Sequence, residues 1–159
     1  MTANLKEKVL RSEIQAASLN ARQNDARAID LKEGLDERIR RVLQAAAEKK
    51  AADPTVLDLR EIASFTDFFV ITSGTNKRQV QAIADEVVEQ LRRRGTRAAR
   101  VEGYQSAEWI LIDYGDFVVH VFDERARRFF DLERLWRESR RVDISADLAR
   151  QFGSLRKEQ

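Results

Sequence analysis

Cysteine is absent from these 159 residues, so there is no disulfide frame, no thiolate nucleophile and no cysteine metal site. A single histidine means that a zinc site would have to draw its other ligands from carboxylates, an uncommon set. No apolar run approaches the roughly 20 residues needed to span a bilayer. The first stretch, "MTANLKEKVLRSEIQ", lacks the apolar segment of a secretory signal. A soluble cytoplasmic protein without a cofactor is the expectation. Charge of one sign is missing too: 29 Lys and Arg against 27 Asp and Glu leave +2. The pI near 9.1 therefore rests on a small excess of base and does not by itself imply a nucleic-acid partner.

What remains is enough chain for one domain with a real core. Residues 1–34 are polar and carry no aromatic side chain; residues 137–159 are similar, although "ISADLARQF" has the spacing of a short helix. Both flanks read as extensions with too little apolar surface to fold alone. Setting them aside leaves 17 positive and 18 negative residues in 35–136, so the compact block is close to neutral.

Inside that block the periodicities are legible. Leu35, Ile39, Val42, Leu43 and Ala46 share one helical face, and Asp53-Pro54 is expected to close that segment. "TVLDLR" and the β-branched and aromatic run at 68–72, ending in Gly74, read as strands. Val80, Ile83, Ala84, Val87, Val88 and Leu91 form a single apolar stripe, with Thr75 or Asn76 as cap and Gly95 as stop. Arg92, Arg93 and Arg94 fall in the last turn, where the helix dipole favours cations; that explains the run without a phosphate ligand. "TRAARV", the hairpin 107–122 and a short helix in "DERARRFFDLERLW" complete the order. The predicted fold is a mixed α/β domain of about five strands with a helical crossover after the second.

The hairpin "AEWILIDYGDFVVHVF" holds most of the chemistry. Gly115-Asp116 suits a tight turn. That register pairs Asp113 with Val118, Ile112 with Val119, Leu111 with His120 and Trp109 with Phe122. Alternation then puts Ile110, Ile112, Tyr114, Phe117, Val119 and Val121 on one face, and Trp109, Leu111, Asp113, Val118, His120 and Phe122 on the other. The first face must be core; the second, being mixed, is expected to be at least partly wet. Asp113 and His120 could form an orienting pair, but no G-x-S-x-G supplies a nucleophile. Asp113, Asp116 and Asp123 are not a magnesium-type carboxylate pair, and no D-x-D occurs. "SGTNKR" lacks P-loop spacing. An indole beside apolar and acidic residues has the composition of an interface, unless a helix or tail of the same chain covers it.

Several strings together, "LDLREIASFTDFFVITSGTNKRQVQAIADEV", "VEGYQSAEWILIDYGDFVVHVF" and "FFDLERLW", resemble the Iojap family, the ribosomal silencing factors of bacteria and organelles. The resemblance covers about Leu35 to Trp136, dividing the chain into an N-terminal extension 1–34, the silencing-factor domain 35–136 and a charged tail 137–159. It implies a nucleotidyltransferase-like α/β fold without the catalytic carboxylate pair, and a protein that is not an enzyme. It also implies binding to the large ribosomal subunit through that subunit's fourteenth protein. There it would block the small subunit from joining and repress translation under nutrient limitation, the free protein being a homodimer. Trp109 and Leu111 would then be the apolar anchor, with Glu108, Asp113, Glu102 and Asp116 meeting basic residues of the partner. Tyr114 and His120 belong to the same motif, and Asp67 to the "FTDFF" turn. The tails would add at most weak contact to ribosomal RNA. The competing reading is a nucleotidyltransferase-like enzyme with non-standard metal ligands.

Overall fold

The computed structural model describes residues 5–11 and 35–146. In chain order the elements are α1 (Leu5–Arg11), α2 (Glu37–Glu48), β1 (Ala52–Asp58), β2 (Phe68–Gly74), α3 (Lys77–Arg93), β3 (Arg100–Glu102), β4 (Trp109–Asp113) and β5 (Phe117–Asp123). After these come α4 (Glu124–Phe130), α5 (Leu132–Leu135) and β6 (Arg140–Arg141). Among the described residues the strands form one six-stranded sheet in the order β3-β4-β5-β2-β1-β6. Only the β2–β5 pair is parallel: α3 carries the chain from β2 across to β3 at the far edge, and the β3-β4-β5 meander brings β5 back beside β2; the other pairs are antiparallel. The sixth strand, two residues at the β1 edge, adds to the expected five.

The helices begin and end where their caps dictate. Asp36 accepts the Arg38 amide at the start of α2, and Asn76 accepts the Gln79 amide at 2.8 Å at the start of α3. At the end of α3, Gly95 takes φ +86° while the Gly95 and Thr96 amides donate to Arg92 and Leu91 carbonyls, closing the last turn. Arg92 and Arg93 also fold back onto Glu89, at 2.8 and 3.1 Å. Proline acts differently from expectation. α2 ends at Glu48, four residues before β1 starts, and Pro54 lies inside β1. The β1–β2 register shifts between Ala52 and Thr55, a bulge that accommodates the missing donor.

The sheet is covered on both faces. The inner face packs Val56, Val70, Ile110, Ile112, Phe117, Val119 and Val121 against the apolar stripes of α2 and α3. The outer face packs Leu57, Phe69, Ile71, Trp109, Leu111, Val118 and Phe122 against Leu5 and Val9 of α1, Ala126 of α4, and Leu132 and Trp136. The expectation of a wet outer face is thus corrected: Trp109, Leu111, Val118, His120 and Phe122 are all buried. Packed structure also extends beyond 35–136 at both ends, through α1 and through Arg140 to the buried Ile144. The helix expected in "ISADLARQF" falls mostly outside the described residues.

Candidate functional site

The β4–β5 register is the one read from the turn: Trp109 opposite Phe122, Leu111 opposite His120, Ile112 opposite Val119 and Asp113 opposite Val118. Gly115, at φ +83°, makes the turn, and its amide donates to Asp113 Oδ1 at 2.8 Å. Asp113 is therefore a turn carboxylate and does not pair with His120. The imidazole instead accepts from the Trp109 indole, Nε1 to Nδ1 3.0 Å, with both rings buried. Since Nδ1 accepts, neutral His120 carries its proton on Nε2. That ring stands nearly perpendicular to Phe69, centroids 4.5 Å apart. Burial, with a smaller contribution from the Lys6 charge, pushes the His120 pKa down to about 3. An uncharged imidazole in a fixed tautomer, enclosed by aromatic rings, is a packing residue and not an acid–base catalyst.

Trp109 is only 3 % exposed. Phe122 stacks on it at 5.1 Å and Phe130 lies at 4.9 Å. Its other cover is α1. Lys6 Nζ donates to the Trp109 carbonyl at 2.7 Å and sits 4.8 Å above the indole centroid. The neighbouring Trp136, fully buried, donates its Nε1 to the Val9 carbonyl at 2.8 Å. Gly103 leaves room for this contact: a Cβ there would lie 2.2 Å from the Trp109 carbonyl oxygen and 2.6 Å from Lys6 Nζ, on a backbone with φ +79°. The cover is the chain's own, one of the two alternatives open at the level of sequence.

The acidic residues divide. Glu102 pairs across from Leu111 and so points to the outer face; it and the exposed Glu108 both act electrostatically on Lys6. Burial lowers the Lys6 pKa, and the two glutamates oppose that shift. Asp116, by contrast, is drawn to the α2 side by Arg38, at 3.1 Å. Tyr114 lies in the inner core, stacked on Phe117 at 4.9 Å, and burial raises its phenol to about 12. The Asp67 amide donates to the Asp116 carbonyl, tying the "FTDFF" turn to the hairpin tip. The structure thus gathers Trp109, Leu111, His120, Glu102 and Glu108 on one strip, keeps Asp113 on the same face at the turn end of β4, and leaves Asp116 and Tyr114 outside it. Sequence reasoning missed Leu5, Lys6 and Val9; the signal was an apolar pair four residues apart in a segment of only two turns.

A second concavity, of about 690 Å³, lies among Asp53, Ser73, Glu124, Arg127, Asp131 and Glu133. Asp131 and Glu133 form a D-x-E, a carboxylate pair that differs from D-x-D only in its second residue. Glu133 is held by Arg127 at 2.9 Å and Arg141 at 3.5 Å, and Asp131, at φ +47°, ends α4. Arg127 in turn donates to Ala52, Thr55 and Ser73 oxygens. This is an internally matched ion-pair network joining α4 to the sheet. No group of three or more His, Cys, Asp or Glu that could hold a metal occurs among the described residues. Nor is any helix among them long and apolar enough to cross a membrane.

The sequence pattern of the family described as ribosomal silencing factor during starvation matches residues 13–158. The chain belongs to that family. The ribosomal silencing factor RsfS of Halalkalibacterium halodurans is 40% identical over 102 residues, covering 64% of this chain and 87% of the relative. A crystal structure from Bacillus halodurans superposes with a TM-score of 0.61 at 39% identity, covering 67% of this chain and 97% of that one. A mouse relative, 30% identical over 92 residues, covers 56% of this chain and 40% of its own length; it is named mitochondrial assembly of ribosomal large subunit protein 1. The first of these relatives carries the silencing-factor name and the second shares the fold, and the expected Iojap-family membership and α/β fold class both hold.

Proposed function

We propose that this silencing-factor family member binds the large ribosomal subunit through the subunit's fourteenth protein and sterically prevents the small subunit from joining. Translation would fall accordingly under nutrient limitation, with a homodimer as the free form. The observation that carries this reading is the strip on β4. Trp109 and Leu111 lie side by side on the outer face, bordered by Glu102 and Glu108, and their upper cover is a seven-residue helix. Aromatic anchors bordered by charge are what protein interfaces concentrate. The acids fit a basic ribosomal protein, and charge pairs at such a rim speed encounter and fix register more than they add affinity. Nothing in the mechanism requires chemistry: a bound domain acts by occupying the intersubunit face. Membership of a family named for silencing ribosomes, and a relative named for the large subunit, support the same reading.

The test has two stages. Purified large subunits are sedimented with the protein, and the joining of small subunits is then followed by light scattering. Co-sedimentation with large but not small subunits, and slower joining in proportion to occupancy, are expected. A protein that stays in the supernatant, or that binds without slowing joining, refutes the proposal.

A further inference from the structure

We propose that α1 is a displaceable cover, occupying in the free chain the same Trp109–Leu111 strip that the ribosomal partner takes over. The inference rests on the docking reading above and adds an intramolecular competitor to it.

Three features of the structure carry it. First, α1 is held from one side only. Its seven residues bury Leu5 and Val9, while Leu10 is left exposed, and a helix of two turns does not persist in water unaided. Its contacts to the outer face include those two side chains, the Lys6 bond to the Trp109 carbonyl and the Trp136 bond to the Val9 carbonyl. Second, none of its residues belongs to the inner core beneath α2 and α3, so departure of α1 leaves that core intact. Third, α1 presents the chemistry expected of the partner. Two apolar side chains flank a lysine that sits over the indole, hydrogen-bonds the strand carbonyl and faces Glu102 and Glu108. Glu102 Oε2 is buried and accepts no hydrogen bond among the described residues. An arriving cation longer or better placed than Lys6 would find an acceptor waiting. The partner surface is therefore a basic side chain between two apolar ones, competing with α1 for one site.

If the uncovered form is the binding-competent one, apparent affinity is reduced by the fraction that is covered. The experiment compares full-length wild type with Leu5→Ala/Val9→Ala, and separately with Lys6→Ala, which keeps both apolar contacts. Dissociation constants for purified large subunits are measured by co-sedimentation, and exchange of the Trp136 indole proton by NMR. Loosening the cover should tighten binding by about tenfold for the double variant and speed exchange of that proton, whose acceptor is lost. Amide protection in β2 and β5 should stay unchanged, which shows that the domain remains folded. Equal or weaker subunit binding by both variants, with the wild type binding normally, overturns the cover. If neither wild type nor variants sediment with the subunits, the ribosome reading itself falls, and the competition with it.

Discussion

Acidification from pH 7 to pH 5 should destabilise this protein through one group, His120. In the fold its imidazole is fully buried, accepts the Trp109 indole proton and has a pKa near 3, against the ordinary 6.5. A depressed pKa means that the unfolded chain takes up a proton which the folded chain refuses. Stability is therefore complete above the unfolded value and is lost as pH falls from there towards the folded value. Those two pKa values give a loss of about 2 kcal/mol by pH 5 and about 3 by pH 4. Protonation would also place an N–H on Nδ1 against the indole N–H, so the hydrogen bond is lost along with the desolvation of the charge. His120 is the only histidine in the chain, which makes the window clean. Burial pushes the Asp36 carboxyl up, but hydrogen bonds from Arg38 outweigh it and hold its pKa low, so that contribution disappears only below about pH 4. The assay is urea unfolding at a series of pH values for wild type and His120→Gln, whose side-chain oxygen can still accept from the indole. The wild type should lose about 2 kcal/mol more than the variant between pH 7 and pH 5. Parallel curves, or an imidazole resonance titrating near 6.5 in the folded protein, would refute the burial argument.

Trp109→Ala should cost about 3–5 kcal/mol in folding, because the indole is packed and not free, so an equilibrium unfolding curve must accompany any binding measurement. Trp109→Phe is the gentler change: it retains an aromatic ring but leaves His120 Nδ1 without its donor, for about 1–3 kcal/mol in the same assay. Gly103→Ala should lower thermal stability by about 1–3 kcal/mol, since a methyl group on that left-handed backbone meets the Trp109 carbonyl; a melting temperature equal to wild type would contradict this geometry. Glu108→Lys, on an exposed position, should leave the melting temperature unchanged while slowing association with large subunits and flattening its salt dependence; stopped-flow rates at two ionic strengths decide it.

Local pattern alone determined the ribbon and its inner side. The Gly115-Asp116 turn sets which residue opposes which, and a strict period of two then places Ile110, Ile112, Tyr114, Phe117, Val119 and Val121 together under the helices. The long stripe of α3, its Asn76 cap and its Gly95 stop follow from short-range chemistry in the same way. Alternation, however, says which side a residue faces and not what covers that side. The outer strip contains an imidazole and an indole N–H, and a face with polar atoms reads as wet as long as those atoms lack partners. The fold gives them each other, Trp109 to His120, and brings Lys6 to a carbonyl 103 positions away. With the indole N–H and His120 Nδ1 matched to each other, such a face can be covered, although His120 Nε2 stays buried without a partner among the described residues; the cover comes from distant segments with apolar patterns too short to announce themselves: Leu5 and Val9, then Trp136. Whether Trp109 stands open or closed was therefore a tertiary decision, made by contacts between parts of the chain that no local window contains.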